Sequence, residues 1–128
     1  MTPAQFLSSE HSARIEPGAF VQQVLTQHRT DPASLGLRQT VLVPLLPALE
    51  RRVLRQLGSP RAHPSPLQHQ ALYQPDNAPF AVIASPMGAP MAVMLLEQLI
   101  ALGARYVLYL GVGGALTPSY RSGDGFLP

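Results

Sequence analysis

The chain has 128 residues, a formal net charge of +2 at pH 7 and 46% hydrophobic residues, enough for one domain with a core but not for two. It has no cysteine, which excludes disulfides, thiolate metal sites and a cysteine nucleophile and fits a reducing compartment. All nine basic residues are arginine, so Schiff-base and Walker-type phosphate chemistry, which need lysine, are closed to it.

The amino terminus, MTPAQFLSSEHSAR, has neither a basic start nor an apolar signal core, and the expected location is cytoplasmic. Residues 1–38 read as an amino-terminal helical arm. Within it Phe20, Val21, Val24 and Leu25 fall at helical spacing and predict a short amphipathic helix packed on the outside. TVLVPLL, residues 40–46, is β-branched and apolar without alternation, the pattern of a buried strand. Pro47 then opens a helix over 47–57, in which Leu49, Val53, Leu54 and Leu57 form the apolar stripe and Gly58 is the stop.

GSPRAHPSP, residues 58–66, has three prolines and reads as a loop. Strands over 69–74 and 80–85 flank PDNAP, a turn short enough to make them an antiparallel hairpin. The apolar run 89–104 carries Pro90, Glu97 and Gln98, and reads as a buried helix over 89–102 with Gly103 as its cap, not as a membrane span. A strand over 105–111 completes a strand, helix, strand unit, which is right-handed almost by rule. The expected fold class is α/β, three-layer, with a mixed central sheet. SGDGFLP reads as the approach to a further strand, which makes the domain look incomplete and leaves a sheet edge for another subunit to cover.

Two constellations are candidates for a site. In LGVGGAL, Gly111, Gly113 and Gly114 leave bare backbone at a strand end, for a ligand or merely for another strand. The dinucleotide fingerprint fails here, because its third glycine would fall at Leu116. In SPMGAP a strand runs into a helix through Met87 and Gly88, and a helix amino terminus is a ready anion site; the plainer alternative has Gly88 relieving packing and Met87 filling core. The two strand ends are expected to be neighbours and to form the floor of a cleft.

Arg51, Arg52 and Arg55 lie one turn apart on the helix over 47–57, spaced either to clamp a phosphate or carboxylate or simply to face solvent. The four histidines, at 11, 28, 63 and 69, have no ligand spacing, so no metal or other cofactor is expected. With 12% charged residues, the pI near 9.5 reflects a small imbalance and not a basic face, so no nucleic-acid partner is expected.

The order of these elements and the motifs over 80–128 resemble the amino-terminal half of the nucleoside phosphorylase family, which includes uridine phosphorylase, hexameric purine nucleoside phosphorylase and the methylthioadenosine nucleosidases. The similarity lies in SPMGAP against the family's G-[MI]-G-x-P-like turn, in EQLIALGA against its helix of the form EELIALGA, in LGVGGA against its R-x-G-[ST]-x-G-[AG], and in the G-D at 123–124. Residues 40–57 match more weakly, through Val43 and Pro44, where the family has a P-G-D-P-x-R phosphate loop.

The resemblance implies that 39–128 is a partial domain of this type, that N-glycosidic bond cleavage is the ancestral chemistry, and that the partners are a nucleoside and further copies of the chain. It places nucleoside contacts at Met87, Gly88, Gly111, Val112, Gly113 and Gly114. It also implies a defect. Leu45 stands where the family has the loop glycine and Leu49 where it has the loop arginine, while Tyr109 and Val112 replace the arginine and the serine or threonine of the glycine-rich strand end. Leucine, valine and tyrosine supply none of the charge that a partly buried phosphate needs, so phosphorolysis is expected to be lost. A phosphate-independent nucleosidase completed by another chain, and a non-catalytic nucleoside-binding or assembly subunit, are the alternatives. The family's catalytic carboxylates lie in its other half, and no catalytic residue is assigned here.

Overall fold

A computed structural model describes residues 16–27, 29, 31, 35–63, 65, 67 and 70–126. The elements in chain order are α1 (Pro17–Gln27), β1 (Thr40–Pro44), α2 (Pro47–Gln56), β2 (Ala62–His63), β3 (Leu72–Tyr73), β4 (Ala81–Ile83), α3 (Ala89–Ala101) and β5 (Tyr106–Leu110). They build an α/β fold around a mixed sheet of order β2-β3-β4-β1-β5. The expectations that fall on 1–15, and those on His11, His28 and His69, lie outside the described residues.

β1 is the centre of this sheet. It runs parallel to β4 on one side, with Val41 opposite Ala81, and parallel to β5 on the other, where Thr40 to Pro44 pair with Tyr106 to Leu110. A central strand needs little alternation: Val41, Val43 and Pro44 of TVLVP are buried and Thr40 and Leu42 half-buried. The strand ends at Pro44, two residues earlier than expected, because Leu46 is already the N-cap of α2 and Pro47 is preset for its first turn.

Both helix stops predicted from glycine are present, and for the reason given. After α2, Gly58 has φ +80 and the amides of Gly58 and Ser59 bond back to the carbonyls of Arg55 and Leu54. After α3, Gly103 has φ +98 and the amides of Gly103 and Ala104 bond back to Ile100 and Leu99. These are Schellman closures, in which the left-handed residue returns two amides to otherwise orphaned carbonyls.

The hairpin of β3 and β4 is antiparallel as expected, with Leu72 opposite Ile83, although both strands are shorter than predicted. The segment 58–66 is not wholly a loop. Ala62 and His63 pair with Tyr73 and Leu72 as the edge strand β2. Between Pro60 and Pro64 these two residues keep their amides, and an edge strand tolerates proline on either side.

β4 and β5 are not neighbours. α3 carries the chain over β1, so β1 lies between the two glycine-bearing strand ends. Leu95 and Leu99 of α3 pack into the core with Val41, Val43, Ala81 and Ile83, and Val107 and Tyr109 lean on the same cluster. α1 packs on α3 and buries Val21 and Leu25. The connection from β1 to β4 runs the opposite way across the sheet, and right-handed crossovers of opposite sense put their helices on opposite faces. α2 therefore falls on the face of Leu42 and Val82, and Val82 is fully buried.

Two surfaces depart from expectation. α3 is not a buried helix: only Leu95, Gln98 and Leu99 are buried, while Met91, Val93, Met94 and Ile100 are exposed, with Val93 and Ile100 on its outer side. On the sheet face opposite α3, Tyr106 is 68% and Leu108 52% exposed, since α2 does not extend over β5. After β5 the chain 111–126 is exposed and adds no strand. SGDG forms a turn instead, with Gly123 at φ +100 and the Arg121 amide donating to Asp124 Oδ2 at 2.7 Å.

Candidate functional site

Because β4, β1 and β5 are parallel, their carboxyl ends reach one edge of the sheet, and the segments 84–88, 45–46 and 111–114 leave it side by side. Backbone hydrogen bonds carry the ladder past the strands: the Ser85 amide donates to the Pro44 carbonyl at 3.0 Å and the Leu45 amide to the Leu110 carbonyl at 2.8 Å. The two glycine-bearing ends are therefore not neighbours as expected: the end of β1 lies between them. The resemblance pointed to Pro44 and Leu45 at this edge but not to Leu46, for which a buried apolar strand followed at once by a helix-opening proline was the available signal.

Each predicted contact has a definite position. Gly88 is the N-cap of α3 with φ +90 and ψ 147, a conformation open essentially to glycine alone. Met87, directly before it, is 96% exposed, so it does not fill core. A methyl group on Gly111 would stand 2.9 Å from Leu45 Cδ1, so the first glycine of LGVGGAL makes room for the side chain of the adjacent strand end. Gly113 and Gly114 have neither a left-handed φ nor any atom within 4 Å of an added methyl. Within this chain their lack of a side chain relieves no strain and no crowding.

The four positions expected from the resemblance to stand for phosphate ligands do not act as a group. Leu45 and Val112 reach the shared edge, and both are exposed. Leu49 sits in the first turn of α2, half-buried. Tyr109 faces away, into the core beneath α3, and its hydroxyl donates to the Ala92 carbonyl at 2.9 Å. Burial raises the Tyr109 pKa above its ordinary value, which keeps the phenol neutral.

The electrostatics of the edge come from backbone. α2 and α3 both start there, and helix amino termini carry partial positive charge. Each has proline in its first two positions and no side-chain cap, so one potential amide donor per helix is missing. None of the residues in 45–46, 84–88 and 111–114 is ionisable, and the Ser85 hydroxyl is committed to the Pro86 carbonyl at 3.1 Å. The edge can present apolar contacts and backbone hydrogen bonds to a flat, neutral molecule. By itself it supplies no general acid or base.

Two concavities among the described residues lie elsewhere. One, of about 460 Å³, is lined by Arg51, Leu54, Arg55, Ser59, Pro60 and Tyr73. The other, of about 440 Å³, shares Pro60 and is lined by Leu57, Arg61, His63, Gln74, Pro75, Asp76 and Asn77. Neither includes Met87, Gly88 or the segment 111–114. No group of three or more histidine or acidic residues placed to hold a metal occurs among the described residues. No helix among them is long and apolar enough to cross a membrane. Compared with protein-family models the chain matches none, and compared with curated proteins it again finds no match.

Proposed function

We propose that the chain is a nucleoside phosphorylase-family protein that binds a nucleoside at the shared strand edge and does not carry out phosphorolysis. The observation that supports this reading is the convergence at one edge of three parallel strand ends, one running into Gly88 and one into Gly111 to Gly114, with no ionisable side chain among their segments. Ligands of open α/β sheets sit outside the carboxyl ends of the strands, and bare glycine backbone there lets a sugar and base lie close. The same edge lacks what a phosphate dianion needs. Each charged hydrogen bond withheld from a buried anion costs about 1.5–3 kcal/mol, so two missing arginines weaken phosphate binding by orders of magnitude.

Release of free base from uridine, inosine and methylthioadenosine, with and without phosphate, tests the reaction. The expected result is no phosphate-dependent release. Release that rises with phosphate and saturates overturns the proposal, while slow release indifferent to phosphate favours a nucleosidase completed by another chain. Binding is tested with Gly113→Val. Because a Cβ there meets nothing within 4 Å, loss of nucleoside binding by a variant that keeps its fold reports the ligand. Unchanged affinity removes the strand edge as the site.

A second reading, assembly with further copies, has its own support. The outer edge of β5 pairs with no strand among the described residues, and beside it lie exposed Tyr106 and Leu108 and the apolar outer side of α3. An unpaired edge flanked by apolar surface invites a second chain. Light scattering at micromolar concentration is expected to give an oligomer, and a stable monomer overturns this reading.

A further inference from the structure

We propose that the groove between α2 and the β2–β3 hairpin binds a small organic phosphate, at a site separate from the strand edge. Arg51 and Arg55 are one turn apart on α2 and line its 460 Å³ half, together with Ser59 and with Tyr73 from β3. Arg61, directly before β2, and His63 of β2 line the adjoining half, which meets the first at Pro60, so a third arginine comes from outside α2. Leu54, Leu57 and Pro60 add an apolar lining. The two halves have the size of small-molecule pockets, which run from about 300 to 1,000 Å³.

Arginine outnumbers acid in the groove. Arg51, Arg55 and Arg61 form no ion pair among the described residues, and Asp76 is the one acidic residue that lines either half. Like charges spaced i, i+4 on a helix repel, so the Arg51 and Arg55 pair is a standing cost that a bound anion removes. The donor set favours phosphate over carboxylate. One bidentate arginine already occupies both oxygens of a carboxylate, whereas a phosphate has three terminal oxygens to share between two guanidinium forks and the Ser59 and Tyr73 hydroxyls. The backbone holds Ser59 in place, because its amide closes the end of α2 on the Leu54 carbonyl at 2.8 Å and its φ is +54.

Calorimetric titration of the full chain with inorganic pyrophosphate, and separately with citrate, tests the site. Pyrophosphate is expected to bind saturably with a dissociation constant below about 1 mM, and citrate at least about tenfold more weakly. Arg51→Ala/Arg55→Ala together are expected to weaken pyrophosphate by at least about tenfold, and Arg55→Lys, which keeps charge but loses the fork, by an intermediate factor. Arg61→Ala tests the adjoining half independently, should the α2 variant lose its fold. Arg105→Ala lies outside the groove and is expected to leave pyrophosphate binding unchanged, and Gly113→Val is expected to affect the nucleoside and not pyrophosphate, which separates this site from the nucleoside reading. Absence of saturable binding, equal affinity in the arginine variants, or citrate binding as tightly as pyrophosphate each overturns the proposal.

Discussion

Replacing Gly88 by alanine is the sharpest test of how the strand edge is built. Gly88 joins β4 to α3 at φ +90 and ψ 147, and an added methyl would meet only Pro90 Cδ, at 4.0 Å. Crowding is therefore absent, and the whole cost of a side chain is backbone strain. Residues forced into such sparsely populated regions cost about 1–3 kcal/mol. For a domain of this size each kcal/mol moves the melting midpoint by roughly 3–6 °C, so Gly88→Ala is expected to melt about 3–18 °C lower. Gly113→Ala is the matched control. Its φ is not left-handed and its methyl meets nothing, so its midpoint is expected to stay within about 2 °C of the parent, the range of a neutral surface change. Thermal unfolding by circular dichroism measures both. If Gly88→Ala melts with the parent, or if Gly113→Ala is the more damaging change, the conformational account of this edge is wrong.

Tyr109→Phe removes the bond to the Ala92 carbonyl and is expected to cost about 0.5–1.5 kcal/mol at neutral pH, read by denaturant unfolding. It also has a pH signature: burial raises the Tyr109 pKa above 10.0, so the native state keeps a proton that the unfolded chain has lost. The contribution is whole below pH 10.0 and is lost as pH rises through the native value, and Tyr109→Phe is expected to flatten that alkaline decline. Gln98 is buried on α3 and its Oε1 has no hydrogen-bond partner among the described residues, so Gln98→Leu is expected to be neutral or to stabilise by up to about 1–3 kcal/mol in the same assay. Leu95→Ala, in the middle of the core, is expected to lose about 2–5 kcal/mol. Leu108→Ser on the uncovered sheet face is expected to lower the scattering mass without lowering the melting midpoint.

The local grammar of the chain was legible in its residues. Pro47, Gly58 and Gly103 mark helix ends because proline's fixed φ and glycine's left-handed φ act within one turn, and the structure has α2 and α3 starting and stopping there. The β-branched apolar run at 40–44 and the turn PDNAP likewise determined a buried strand and an antiparallel hairpin, and with them the mixed α/β sheet. What tertiary structure alone decided was adjacency. Periodicity states which side of an element is apolar but not which neighbour covers it, so it did not separate the expected buried helix from an α3 whose outer side stands open. Strand order depends on pairings distant in sequence, and the passage of α3 over β1 put Pro44 and Leu45 between the glycine-bearing ends. That placement explains Gly111 by the side chain of Leu45 and turns Tyr109 into the core. It leaves Gly113 and Gly114 with no conformational reason inside the chain, because the atoms a glycine must avoid are set by the packing of strands and not by the run of letters around it.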